Sequence, residues 1–163
     1  MLFQKDGCPK QLVTEQKNGT LYLYDRDTIA NGPRQSLLIG SPPLIGVPAY
    51  SPDTNMVYVT IIRDSADGKY KRGVAAFSLD ANCNLQPAWN TPSVSGLNLT
   101  VANGVVYYTG GFGGSVRAID ATTGSPLWDS GTSVSGTFVA QPLVINGRLY
   151  ATGYDQKLHA WGL

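Results

Sequence analysis

Three alanines at a fixed interval constrain this chain more than any other feature. Ala76 in GVAAFSLD, Ala118 in GSVRAIDA and Ala160 in QKLHAWGL are spaced 42 residues apart in both steps (76, 118, 160). Ahead of each lies a second strand-like run, NMVYVTII, GVVYYTGG or GRLYATGY, carrying Tyr58, Tyr107 or Tyr150. Two of these runs follow Asn-Gly pairs, Asn103-Gly104 and Asn146-Gly147. Both residues of such a pair tolerate positive φ, so the pair closes a tight hairpin. GTLYLYDRDT is a weaker copy with Leu23 in the alanine place, 53 residues before Ala76 (23, 76). A period of about 40 filled by several short strands suits a propeller blade rather than a helical solenoid.

The strands of each unit can be placed from this repeat. Blade 1 spans about residues 1–42, with QLVTEQ, TLYLYDR and RQSLLIG and no recognisable innermost strand. Blade 2 spans about 43–93, with LIGVPAY, MVYVTII, GVAAFSL and PAWNTP. Blade 3 spans about 94–133, with LNLTVA, VVYYTG, SVRAIDA and PLWDSG. Blade 4 spans about 134–163, with FVAQPLVI, RLYATGY and KLHAWGL. The expected fold is all-β: one propeller domain over residues 1–163, built from four-stranded antiparallel blades. About three and a half to four blades are present where closed propellers have roughly 4–8, so the ring is partial or completed by an oligomer.

Composition agrees and excludes several classes. The 19 glycines and 9 tyrosines among 163 residues favour short strands joined by tight turns. A net charge of +1 with 14% charged residues gives no electrostatic case for nucleic acid or an anionic membrane surface. No apolar run approaches the roughly 18 residues of a membrane span. The opening MLFQKDGCPKQ is too short and too soon polar for a signal peptide. The expectation is either a cytosolic chain or one whose leader has been cut away.

The third unit carries the pattern Ala118-x-Asp120-x-x-Thr123-Gly124-x-x-x-Trp128. It resembles the tryptophan-docking motif of the quinoprotein alcohol dehydrogenase-like propellers, the pyrroloquinoline quinone (PQQ) repeats, at all five defining positions. The resemblance implies that Trp128 packs between the motif's alanine and the glycine turn of the adjacent blade, while Asp120 and Thr123 tie the turn. An aromatic ring buries roughly 150–250 Å², and a small residue opposite leaves room for its face. Other copies depart from the motif. Leu23-x-Asp25-x-x-Thr28 lacks the glycine and the tryptophan. The copy at Ala76 has Ser78 in the aspartate place, and its Trp89 comes late, after LDANCNLQPA. The copy at Ala160 ends at Gly162-Leu163.

The family's dehydrogenases hold PQQ over calcium, with a disulfide between adjacent cysteines, a catalytic aspartate, and glutamate and asparagine ligands. Here the two cysteines, Cys8 and Cys83, are far apart. The acidic clusters DRDTIANG (Asp25, Asp27, Asn31) and RDSADGKY (Asp64, Asp67) do not match a spaced calcium loop; both suit polar turns. No catalytic residue, metal site or cofactor is therefore expected. PQQ with calcium enters only if the chain is the C-terminal part of a dehydrogenase whose site lies in absent blades. Cysteines at both positions are common in sequences of this type, which implies a Cys8–Cys83 disulfide and an oxidising, extracytoplasmic compartment, periplasmic or secreted. The alternative is two unrelated thiols.

Other signatures of chemistry are thin. His159 lies in a strand between Leu158 and Ala160 with no second histidine or cysteine near it. No Gly-x-Ser-x-Gly elbow occurs. GGFGGS, Gly110 to Ser115, joins strand to strand without a Lys-Ser/Thr ending, so it suits a hairpin and not a phosphate cradle. Asn18-Gly19-Thr20 and Asn98-Leu99-Thr100 are glycosylation-type triplets. Ligand-facing candidates are the loop RDSADGKYKRG, with Arg63, Asp64, Asp67, Lys69, Lys71 and Arg72, and Phe112 in GGFGGS. Three functions follow as expectations. One is a non-catalytic propeller that binds a protein partner. Another is part of a quinoprotein dehydrogenase. The third is a half-propeller that closes with a second copy, residues 1–8 lending an outer strand to the partner's last blade.

Overall fold

The computed structural model describes every residue except Ile45, Ser95, Phe112, Gly113, Ser135 and Leu163. Fifteen strands and two 3-10 turns, Arg26–Asn31 and Gly131–Ser133, make up the described elements. The strands form four antiparallel sheets in sequence order. The first holds β1 (Leu2–Phe3), β2 (Gln11–Gln16), β3 (Thr20–Asp25) and β4 (Gln35–Leu38). The second holds β5 (Ala49–Ser51), β6 (Met56–Ile61), β7 (Gly73–Leu79) and β8 (Leu85–Pro92). The third holds β9 (Gly96–Ala102), β10 (Val105–Gly110), β11 (Val116–Asp120) and β12 (Pro126–Asp129). The last has three strands, β13 (Leu143–Ile145), β14 (Arg148–Thr152) and β15 (Leu158–Gly162). These are four blades of a β-propeller. First strands of successive blades meet, β5 on β9 and β9 on β13, which places them nearest the axis.

The sequence period is the structural period. Tyr58 lies opposite Ala76, Tyr107 opposite Ala118 and Tyr150 opposite Ala160, each on the second and third strands of its blade. Asn103 (φ 51°) with Gly104 (φ 74°), and Asn146 (φ 49°) with Gly147 (φ 69°), close the hairpins β9–β10 and β13–β14 in the left-handed backbone region.

Alternation along the strands sends neighbouring residues to opposite faces. Val57, Val59 and Ile61 of β6 join Val13, Leu21 and Leu23 in a core between blades 1 and 2. Tyr58, between them, faces Leu99, Val106 and Tyr108 in the core between blades 2 and 3. Tyr107 and Val116 face Phe138, Leu149 and Ala151 in the core between blades 3 and 4. Blades 2 and 3 are thus covered on both faces, and blades 1 and 4 on one.

One expectation needs correction. Blade 1 does have an innermost strand: Leu2 pairs with Leu12 and Phe3 with Gln11. Residues 2–3 are therefore the inner edge of their own sheet and not a strand lent to a partner. Phe3 anchors them, buried in the blade 1–2 core with its ring 4.8 Å from that of Tyr50. A strand of two residues is too short to show an alternating pattern. Trp89, although it comes late in the sequence, takes the docking place of its blade. It lies opposite Ala76 as Trp128 lies opposite Ala118, each just before a register shift, because the longer turn after β7 absorbs the extra residues.

Candidate functional site

The docking contact is made in full by Trp89. Its ring sits 5.9 Å from that of Tyr58, and Nε1–H donates to the Ala121 carbonyl of blade 3 at 3.3 Å. Gly124, at φ +73°, lies against the indole so closely that a Cβ there would fall 2.7 Å from Cε3 and 2.8 Å from Cδ2. Real Cβ atoms do not approach so near, so the glycine is required both by its backbone angle and by its neighbour. Thr91, two residues on, donates Oγ1–H to the Gly124 carbonyl at 2.7 Å.

The turn that receives the ring is built by Asp120. Its Oδ1 accepts from the Thr122 N–H (2.9 Å), the Thr123 N–H (2.7 Å) and the Thr123 hydroxyl (3.0 Å). These bonds hold the Asp120 carboxyl below the ordinary carboxylate range, the Thr123 backbone bond acting most. In blade 2 Asp80 does the same for its longer turn, accepting from the N–H groups of Asn82 and Asn84. Asp25 in blade 1 instead pairs with Arg34 at 2.7 Å.

Trp128 differs from Trp89 in its surroundings. It lies on Ala118 but meets the edge of Trp161 at 5.5 Å, and it is 38% exposed. The residues that would stand to Trp128 as Ala121 and Gly124 stand to Trp89 begin at Leu163, outside the described residues. Around the two indoles opens an apolar groove of about 260 Å³, lined by Val105, Tyr107, Leu127, Trp128, Leu149 and Trp161.

The charged loop of blade 2 is occupied with its own shape. Asp64 accepts from the Arg72 N–H (2.8 Å) and Lys71 Nζ (3.2 Å), and Asp67 from the Ser65 hydroxyl (2.6 Å) and the Lys69 N–H (3.1 Å). Those bonds lower both carboxyls, the Arg72 backbone bond first for Asp64 and the Ser65 hydroxyl first for Asp67. Arg63 donates to the Pro42 carbonyl at 3.0 Å. Lys69 is largely exposed, its Nζ 3.8 Å from Asp67. Phe112 lies outside the described residues.

Cys8 and Cys83 are joined in a disulfide, Cα to Cα 5.7 Å, linking blade 1 to the turn after β7. Gln11 adds a bond to the Cys83 carbonyl (3.0 Å), and Arg34 binds the side chain of Asn84 and the carbonyl of Asn82. His159 has a partner that no sequence pattern marks: Asp155 meets its Nε2 at 2.8 Å, and the imidazole stacks on Trp161 at 5.8 Å.

The described residues do not fit a PQQ–calcium site. No group of three or more His, Cys, Asp or Glu side chains comes together among them. Three of the four aspartates in the two sequence clusters that bear on calcium, Asp25, Asp64 and Asp67, are engaged by nearby side chains and amides. The disulfide joins residues 75 positions apart and not neighbours. No described helix is long and apolar enough to cross a membrane.

Neither a protein-family model nor a curated protein matches the chain by sequence. Solved structures do match its fold. The computationally designed Ika4 protein is 16% identical with a TM-score of 0.67, over 99% of this chain and 89% of that one. The β-propeller domain of Cps50 (Swd1) from Myceliophteria thermophila is 11% identical with a TM-score of 0.73, over 99% of this chain and 52% of that one. BamB from Moraxella catarrhalis is 17% identical with a TM-score of 0.57, over 99% of this chain and 56% of that one. The chain thus spans most of the designed protein and about half of the two natural ones. At these identities the likeness is one of fold alone.

Proposed function

We propose that this chain is a non-catalytic propeller module of PQQ-repeat type that works outside the cytoplasm by presenting surface to a protein partner. One observation carries this reading: the exposed large apolar side chains gather on the end blades. Leu143 (57%), Ile145 (49%) and Leu158 (65%) stand on the open face of blade 4, and the Trp128–Trp161 groove opens on the other face of that blade, towards blade 3. Exposed apolar surface of this kind marks interaction sites. The disulfide supports an oxidising compartment. The reading is tested by supplying PQQ, calcium, an alcohol and a redox dye. Dye reduction at the protein-free rate is expected, and sustained turnover refutes it.

A second reading is favoured by the matching open face of blade 1, where Leu2 and Leu38 are exposed beside the paired rings of Tyr22 and Tyr24. Two copies related by a two-fold axis set each blade 4 against the other's blade 1, closing a ring with no open face. Sedimentation then gives twice the 17.4 kDa chain mass at micromolar concentration, and Leu158→Asp halves it. A monomeric parent chain refutes ring closure.

A further inference from the structure

A row of three side chains crosses the outer strands of blades 2 and 3, and two of the three recur in blade 4. In blade 2 the row is Tyr58 on β6, Ala76 on β7 and Trp89 on β8, each opposite the next. The rings of Tyr58 and Trp89 lie 5.9 Å apart. In blade 3 the row is Tyr107, Ala118 and Trp128. Tyr150 lies opposite Ala160 in the same way, but β15 is the outer edge of its sheet and no described strand pairs beyond it. The alanines register the difference. Ala76 is 1% and Ala118 4% exposed, each with an indole opposite, whereas Ala160 is exposed. Leu158, two residues before it and so on the same face, is exposed as well.

We propose that β15 takes up an extended segment of another protein as the fourth strand of blade 4, with a tryptophan of that segment lying on Ala160. This rests on the reading of the chain as a protein-binding module and names the chemistry of the partner. Strand addition draws affinity from main-chain hydrogen bonds along a free edge and specificity from pockets for alternate side chains. Here the pocket is the small residue between Tyr150 and the edge, which continues the row already formed in two blades. The outer strands of those blades specify the occupant. Pro87-Ala88-Trp89-Asn90 and Pro126-Leu127-Trp128-Asp129 share proline two residues before the tryptophan and a polar residue after it. Each proline lies beside a register shift, opposite Phe77 or Ile119, where a missing N–H is tolerated. The partner segment is therefore Pro-x-Trp followed by a polar residue. A second copy does not offer one among its described strands, since the chain's three tryptophans are already placed: Trp89 and Trp128 in their own rows, Trp161 towards blade 3.

The experiment titrates the intact chain into a fluorescein-labelled peptide of sequence TGSPLWDSG, that of residues 123–131, and follows its anisotropy. Saturable binding is expected. Alanine in place of the peptide's tryptophan should weaken it about ten-fold or more, and so should Ala160→Leu in the chain, which fills the indole's place. Hydrogen exchange of the unmodified chain gives a second readout, with the amides on the outer edge of β15 slowed by the peptide. No saturable binding up to about 1 mM overturns the proposal. So does binding that Ala160→Leu leaves unchanged, or slowing at β11 in place of β15, which would mean exchange with the chain's own β12. Amides of β15 already slowed in the chain alone, and more so as its concentration rises, would overturn it in favour of a second copy. Failure here is separate from failure of the non-catalytic reading, which turns on dye reduction.

Discussion

Replacing Gly124 by alanine isolates the contact that joins blade to blade, because the molecule supplies its own control. Gly124 and Gly104 have nearly the same backbone angle, φ +73° and +74°. Around Gly104 nothing lies within 4 Å of a built Cβ, whereas at Gly124 the Trp89 ring is met at 2.7 Å and Thr91 Oγ1 nearer still. Both substitutions carry the left-handed penalty of an L-residue, about 1–2 kcal/mol. Only Gly124→Ala adds the strain of overpacking, about 1–3 kcal/mol. The expected losses are therefore about 1–2 kcal/mol for Gly104→Ala and about 2–5 kcal/mol for Gly124→Ala. Urea unfolding followed by far-ultraviolet circular dichroism measures both without relying on tryptophan emission. Repeating Gly124→Ala in a Trp89→Ala background should recover about 1–2 kcal/mol as coupling, since the indole that was struck is gone. Equal losses at the two glycines, or zero coupling to Trp89, would refute the docking geometry.

Two further predictions concern the cross-link and the buried acid. Converting Cys8 and Cys83 to serine frees a loop of 75 residues and should cost about 4 kcal/mol, read from the urea midpoint of the oxidised and mutant proteins; an unchanged midpoint would contradict the bridge. The raised Glu15 carboxyl makes the fold hold a proton that the unfolded chain gives up above its ordinary value of 4.5. Stability should therefore fall with rising pH from there to about 8, at up to about 1.4 kcal/mol per unit, and level off above. Glu15→Gln should remove that slope, and a slope that persists would place the buried charge elsewhere.

What the sequence made legible was whatever repeats within a hairpin. The spacing of Ala76, Ala118 and Ala160 marks the same backbone position in three blades, because each faces a tyrosine on the preceding strand of its own hairpin. The Asp120 turn was legible for a related reason, since its bonds run only two or three residues along the chain. Leu2–Phe3 was hidden because two residues carry no period, and pairing with β2 is what makes them a strand. Trp89 was legible as a docking tryptophan despite a turn of different length between it and Ala76, because the pairing of β7 with β8 absorbs the extra residues. Trp128 matches the docking motif better than Trp89 in sequence, yet its environment is decided by what the neighbouring blade sets against it. Glu15 gave no local signal at all: its neighbours at Gly46, Thr60 and Leu97 belong to other parts of the fold.

The central claim is that an indole from one blade lies on the glycine turn of the next. Proton NMR tests it without a substitution, through the Gly124 Hα that occupies the direction of the absent side chain. That proton should be shifted upfield by the ring of Trp89 and show cross-relaxation to its indole protons. A Gly124 Hα at an ordinary position, with no transfer to Trp89, would mean that the blades are not joined in this way.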